Sequence, residues 1–266
     1  MPCLFMLNFL IQTALPFTIS ALVVILITVI AEKYGTKIGG ILGTLPSTIV
    51  VAFVFIALNR GVDFASESVA VVPAEMGINL AFLCIFALLA YKSMTTGLFA
   101  AFVFWIIFSS ILFFTDMHNI YVSLALFFIS MIITFLILEK VKKIKSQGKR
   151  QVHYTPLKII LRGVLTGAII AISVFLSNLD PVLAGIFSVF PAILTSTMII
   201  SYREHGPDFS AGIAKSMIFG SSSVMSYATA IHFLYPSYGI VLGSVVGLVI
   251  AVLISLLILK IRNKIS

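Results

Sequence analysis

Hydrophobic positions in this chain neither alternate nor stripe; they run on. Nine apolar runs of about 20 residues follow one another, over 9–31, 38–59, 66–90, 96–115, 119–139, 157–177, 181–202, 209–234 and 239–260. A helix of about 20 apolar residues crosses the hydrocarbon core of a bilayer. Lipid offers the backbone no hydrogen bonds, so such a segment must bond within itself. The pattern predicts an all-α polytopic membrane protein with about nine transmembrane helices. Its connections are short except for one polar stretch between the fifth and sixth runs.

Composition adds what the runs exclude. Of 266 residues, 61% are hydrophobic and 10% charged, too few charges to cover a soluble domain. The net charge of +8 raises nucleic acid as a partner. The basic residues gather instead at Lys140, Lys142, Lys143, Lys145, Lys149, Arg150, Lys158 and Arg162, between two apolar runs. That is the pattern of a cytoplasmic loop, and no folded basic domain accompanies it. Placing the 140–162 loop in the cytoplasm puts the N-terminus outside and the C-terminus inside, as a multi-pass protein of the cell (inner) membrane. Lys33, Lys37, Lys92, Arg203, Lys260, Arg262 and Lys264 then fall on the cytoplasmic side, and Arg60 dissents. Cys3 and Cys84 make neither a disulfide framework nor a metal spacing. The first run lacks a positive leader and reads as a retained helix.

The chain also repeats. An offset of 145 carries Pro46 onto Pro191, Gly40 onto Gly185, Ile41 onto Ile186, Gly61 onto Gly206, Asp63 onto Asp208 and Phe64 onto Phe209. This divides the chain into a four-helix repeat at 1–116, a linker helix with the basic loop at 117–156, and a second four-helix repeat at 157–266. The odd helix between the copies reverses the second, giving an inverted 4+1+4 repeat of the kind that builds transporters.

The run AGIFSVFPAILTSTMIISYREHG, from Ala184 to Gly206, resembles the AGL-x-x-x-FP-x-x-x-L-I core of the small GlpM/YdgC-type inner-membrane proteins. The likeness covers about 157–260 and returns more weakly over 12–116. It implies a duplicated, fused member of that family in the inner membrane, and it brings no established activity or catalytic residues. Fused fluoride channels share the 4+1+4 plan, but their pore motifs are not found here, and a shared plan does not transfer function.

Candidate chemistry centres on the two prolines. A proline in a helix removes a hydrogen bond and clashes with the preceding turn. In lipid the freed carbonyls need partners, which Thr44, Ser47 and Thr48 supply around Pro46, and Ser188, Thr195, Ser196 and Thr197 around Pro191. Broken at these points, the second and seventh helices would turn half-helix N-termini toward a bound solute. The plainer alternative is a pair of kinks packed by small residues.

Glu75 lies near the middle of the third run. A carboxyl at that depth is a functional candidate by default and suits proton coupling or cation binding. Asn79 stands one turn later, and the repeat sets Gly220, followed by Ser221, Ser222 and Ser223, opposite Glu75. The expected substrate site is a polar cavity holding these groups between the second, third, seventh and eighth runs.

Lys215 is expected to reach toward the interface or to pair with an acidic group, Asp63 and Asp208 to cap helices, His232 to lie at an interface, and YREHGPD to be a solvated loop. No protease, hydrolase or P-loop motif occurs, so neither an enzyme nor a cofactor nor a metal site is expected. The leading expectation is a transporter or channel for a small solute or ion, with Glu75 as protonatable or cation-binding group. The alternative is a non-transporting membrane scaffold, with lipid handling as a third reading. The expected partners are the bilayer and the solute, without nucleic acid.

Overall fold

The computed structural model describes residues 10–42, 46–141, 144 and 155–265. A π-helical turn at Leu10–Ala14 leads into α1 (Leu15–Leu42). Next come α2 (Ser47–Arg60), α3 (Val62–Val69), α4 (Val72–Leu89), α5 (Met94–Phe114) and α6 (Ile120–Leu136), the last prolonged by a π-helical turn at Ile137–Val141. Helices α7 (Pro156–Leu176) and α8 (Pro181–Ser188) follow. The final helical stretch, Ala192–Ile265, is interrupted at Gly206 and Gly239, which separate α9 (192–205), α10 (207–238) and α11 (240–265). Among the described residues all regular structure is helical.

Local chemistry sets the helix starts. Ser93 accepts from the Thr96 amide, Asn119 from Tyr121 and Val122, Thr155 from Lys158, and Asp180 from Leu183. Each satisfies an amide that the first turn would leave unbonded. Pro156 and Pro181 occupy first helical positions, where a missing N–H costs nothing.

The membrane-like, all-α architecture agrees with the apolar pattern. Among the described residues, six stretches are long and apolar enough to cross a membrane: Gln12–Ile30, Val62–Leu89, Met94–Phe114, Ile120–Lys140, Pro156–Leu176 and Pro181–Leu257. The run at 38–59 is divided: residues 38–42 end α1, and the 14-residue α2 begins after Pro46. The last three runs merge into Pro181–Leu257, which is not a single rod. Gly206 (φ 82°, ψ −176°) and Gly239 (φ 71°, ψ −176°) adopt a backbone that side-chain-bearing residues avoid. Around Gly206 the Ser210 hydroxyl bonds back to the Met198 carbonyl at 3.2 Å, and around Gly239 the Tyr235 and Ser244 hydroxyls meet at 2.7 Å. The chain therefore folds back at both glycines. Gly61, between α2 and α3, has a similar backbone (φ 92°, ψ 166°).

Helix packing depends on close approach. A Cβ at Gly167 would lie 2.5 Å from the Phe17 carbonyl oxygen, and one at Gly163 2.6 Å from an Ile25 carbon, so α7 lies tight against α1. Gly185 brings α8 equally close to the Ser68 carbonyl at the end of α3. Helix α4 forms the centre, packed by α5, α6 and the Ala192–Ile265 stretch.

Two minor expectations change. Gly61 holds the position before α3, so Asp63 lies within the first turn and makes no cap. Asp208 instead accepts from the Tyr91 hydroxyl at 2.9 Å, tying the turn after α4 to α10. Lys215, with the interface or an acidic partner open to it, takes the partner: it is buried, pairs with Glu139 and donates to the Ile144 carbonyl at 2.6 Å.

Candidate functional site

A cavity of ≈ 160 Å³ opens where α1, α2, α4, α7, α9 and α10 converge. Its polar lining comes from Thr28, Ser47, Thr48, Asn79, Arg162, Thr166, Ser188 and Ser221. Apolar walls come chiefly from Val24, Met76, Leu80, Ile169, Phe190 and Met217.

Both proline segments lie beside this cavity. Pro46 immediately precedes α2 and has no side-chain acceptor, and no described side chain caps the helix. The first backbone bond into α2 is Val50 N to Pro46 O at 3.1 Å, leaving the amides of Ser47, Thr48 and Ile49 ahead of the ladder. In the second half, α8 ends at Ser188 and α9 begins at Ala192, with Pro191 between. Thr195 N bonds Pro191 O at 2.8 Å, so the amides of Ile193 and Leu194 precede that bond. Ser47, Thr48, Ala192, Ile193 and Leu194 all line the cavity, so two helix N-termini meet there.

Asn79 is 1% exposed and reaches the break before α9, where its amide nitrogen donates to the Val189 carbonyl at 2.8 Å. Its carbonyl oxygen is buried without a partner. Arg162 enters from α7, one turn before Thr166. Its neighbour on that helix, Lys158, pairs with Glu204 of α9 at 2.6 Å. Phe190 stacks edge-on to Trp105 with ring centroids 4.8 Å apart, so the chain's single tryptophan reports on the cavity wall.

The expected site residues separate into two groups. Ser47, Thr48, Asn79 and Ser221 line the cavity. Pro46 and Pro191 stand outside its lining and fix where the lining helices begin. Thr195 and Ser196 lie one turn into α9, where Ser196 bonds the Ile193 carbonyl at 3.0 Å. Ser222 contacts the Met131 sulfur at 3.8 Å and Ser223 bonds the Gly220 carbonyl at 2.9 Å, so neither faces the cavity. Thr44 lies outside the described residues.

Glu75 is also absent from the lining. It is 0% exposed and turned toward α5, where Ser109 donates to Oε1 at 3.0 Å. Oε2 has no partner, and the Trp105 indole N–H lies beside the carboxyl without completing a hydrogen bond. Sequence reasoning does not single out Thr28, Arg162 or Thr166 as site residues. Arg162 carries a signal: it is an arginine within an apolar run, one and a half turns past the helix start.

At the far end of α2, roughly 16 Å from Thr48 at 1.5 Å per residue, lies a second polar cluster. Gln12 donates to Asn59 at 2.7 Å, Asn59 to Ser177 at 3.0 Å and Asn178 at 3.2 Å, and Asn178 returns to Gln12 at 2.9 Å. This ring joins the start of α1 and the end of α2 to the turn after α7.

The family described as "Protein of unknown function (DUF3147)" matches residues 13–119. The match takes in Ser47, Thr48, Glu75 and Asn79 but nothing from α7 onward. It gives no support to the GlpM/YdgC-type likeness in particular, which is strongest in the other half of the chain. No curated protein and no solved structure matches the chain.

Proposed function

We propose that this protein moves a small solute across the membrane through the cavity at the two proline breaks. One observation carries the reading. Positions related by the 145-residue offset line the same cavity in pairs: Val24 with Ile169, Ser47 with Ala192, Thr48 with Ile193, Met76 with Ser221, and Asn79 with Val224. A duplicated, inverted fold with nine crossings would place its pseudo-two-fold axis through such a cavity, where transporters of this design hold their substrates. Similar backbone at Gly61 and Gly206, which the offset also pairs, supports the duplication. The fused GlpM/YdgC-like ancestry and the N-outside, C-inside orientation belong to this same reading.

In this mechanism the Gln12–Asn59–Asn178 ring closes one end of the path. Rocking one half against the other breaks the ring and exposes the cavity to that side. Glu75 is the coupling group. It exchanges its proton when α4 moves against α5, and Asn79, one turn along α4, carries the movement to the solute. The solute itself touches Asn79 and the two helix starts, not Glu75.

Purified protein in liposomes, screened by solid-supported membrane currents and radiolabelled uptake, tests the proposal. Asn79→Leu removes a lining amide and leaves the Val189 carbonyl unpaired, at a cost of about 1–3 kcal/mol. Uptake should fall by about tenfold or more, each tenfold being about 1.4 kcal/mol of transition-state binding. Folded native protein that carries no member of a broad anion, cation and polyol panel would move the assignment to a membrane scaffold.

A further inference from the structure

A path closed at one end by the Gln12–Asn59–Asn178 ring needs a closure at the other, and we infer that the Lys158–Glu204 ion pair supplies it. The inference rests on the transport reading above and on what stands at the two ends of α7.

Helix α7 serves as a ruler. Lys158, Arg162, Thr166 and Ile170 follow at four-residue spacing along one of its faces. Arg162, Thr166 and Ile170 line the cavity; Lys158 lies one turn before them, and Ser177 and Asn178 lie two turns after. The two ends of this face stand roughly 30 Å apart, the thickness of a bilayer's hydrocarbon core. At the first end Lys158 pairs with Glu204 at 2.6 Å. At the last, Asn59 donates to Ser177 at 3.0 Å and to Asn178 at 3.2 Å. The cavity lies between two polar latches.

Sequence relates the latches to each other. The 145-residue offset carries Asn59 onto Glu204, and Thr13, beside Gln12, onto Lys158. Asn59 stands as far past Thr48 in α2 as Glu204 stands past Ile193 in α9, roughly 16 Å in each case. Each broken helix therefore starts at the cavity and ends in a latch, and the two leave the cavity toward opposite ends of α7. Helix α1 fits this frame, because it runs antiparallel to α7: Gly163 meets Ile25, Gly167 meets Phe17, and Asn178 reaches Gln12.

Chemistry separates them. The ring consists of neutral amides and one hydroxyl, so opening it exposes no charge. The ion pair is partly buried, its side chains 34% and 20% exposed, and opening it releases two charges into water, where salt screens them. Salt thus favours opening at the Lys158 end alone. The lysine-rich stretch at 140–150 leads into α7 at this end, so the charged latch faces the proposed cytoplasm.

The test places a reporter thiol in the cavity with Thr48→Cys, in full-length protein carrying Cys3→Ser and Cys84→Ala. A membrane-impermeant maleimide is added to bacterial spheroplasts or to inside-out vesicles, so that each face is probed alone. Lys158→Gln and Glu204→Gln should raise labelling from the basic-loop face about tenfold, and from that face only. Asn59→Ala should do the reverse, and Lys158→Arg, which keeps the charge, should label at the native rate. Raised ionic strength, applied with both latches unchanged, should act as Lys158→Gln does, so the test stands whether or not the variants fold. Labelling that rises from both faces alike, from the opposite face or from neither would overturn the second gate. No solute is needed, so gate and transport fail separately. One-sided opening without uptake of any solute removes transport and keeps the latch; uptake with unmoved labelling removes the latch and keeps transport.

Discussion

Two stretches of similar apolarity occupy opposite places in this molecule. The 18-residue apolar window of Val62–Leu89, which comprises α3 and α4, has a mean hydropathy of 2.0 and is 83% buried; that of Ile120–Lys140, built on α6, has 2.6 and is 22% buried. The more apolar stretch is the outer one. A soluble protein would reverse this order, but lipid is as apolar as leucine, so hydrophobicity gives a helix no reason to leave the surface. Polar groups decide instead, because each one facing lipid without a partner is costly. Along the inner stretch Ser66 donates to the His232 carbonyl at 2.6 Å, Ser68 to Pro181 at 2.6 Å and Asn79 to Val189 at 2.8 Å, while Glu75 accepts from Ser109. On the outer one Phe128, Ile129, Ile132, Ile133 and Leu136 are exposed. What makes a helix central here is the partners its polar side chains find.

The inner stretch is most vulnerable at Gly185. A leucine there would drive α8 into the Ser68 carbonyl and Val71, at the junction of α3 and α4. The cost is on the order of 3 kcal/mol, and size-exclusion profiles should lose most of the monodisperse protein. If Gly185→Leu folds normally, the inner stretch is not held as described.

Glu75→Gln tests the inner stretch by function. Glutamine can still accept from Ser109 but cannot release a proton, so packing should survive. The proposed coupling predicts that uptake stops responding to an imposed pH gradient, a loss of about tenfold in gradient-driven accumulation. Unchanged pH dependence would remove Glu75 from the mechanism and leave the cavity reading intact.

A smaller effect is expected where the inner stretch turns into α5. Burial first, and then the hydrogen bond and charge of Asp208, raise the Tyr91 phenol above its ordinary value of 10.0. The folded protein holds this proton more tightly than the unfolded chain. The associated stabilisation is therefore present at neutral pH and is lost as pH rises through the phenol's titration. Asp208→Asn should move the phenolate absorbance midpoint partway down toward the ordinary value, leaving the part due to burial.

Ile132→Ala, on the lipid face of α6, should change thermal stability least, within about 0.5 kcal/mol. A loss several times larger would mean that this face meets a partner other than lipid.

Legibility in sequence follows the same division. The helical, membrane-like class is readable because so many apolar runs long enough to span a bilayer would leave a soluble chain without a polar surface. Pro46 and Pro191 are legible as points just ahead of helix starts because neither can continue a helix, and Ser47, Thr48, Asn79 and Ser221 stand out as polar groups within apolar runs. The reversals at Gly206 and Gly239 are also legible, since Gly206 lies in the polar YREHGPD and Gly239 follows Pro236, both where apolar runs meet. Arg162 is hidden from a sequence reading because its position beside the basic loop resembles loop charge.

The amino-acid sequence alone carried the helical, membrane-like character, the two prolines that cannot continue a helix, and the polar groups inside apolar runs. Those are properties of composition and of single residues. Only the tertiary structure decided which of those polar groups share a space. Glu75 and Asn79 are four residues apart on one helix, yet one faces Ser109 of α5 and the other faces the start of α9. Helical periodicity places them on a common side, but a neighbouring helix divides that side. One such neighbour, α6, comes close at Gly77, where a Cβ would lie 3.3 Å from the Leu126 carbonyl oxygen, a contact between segments distant in the chain.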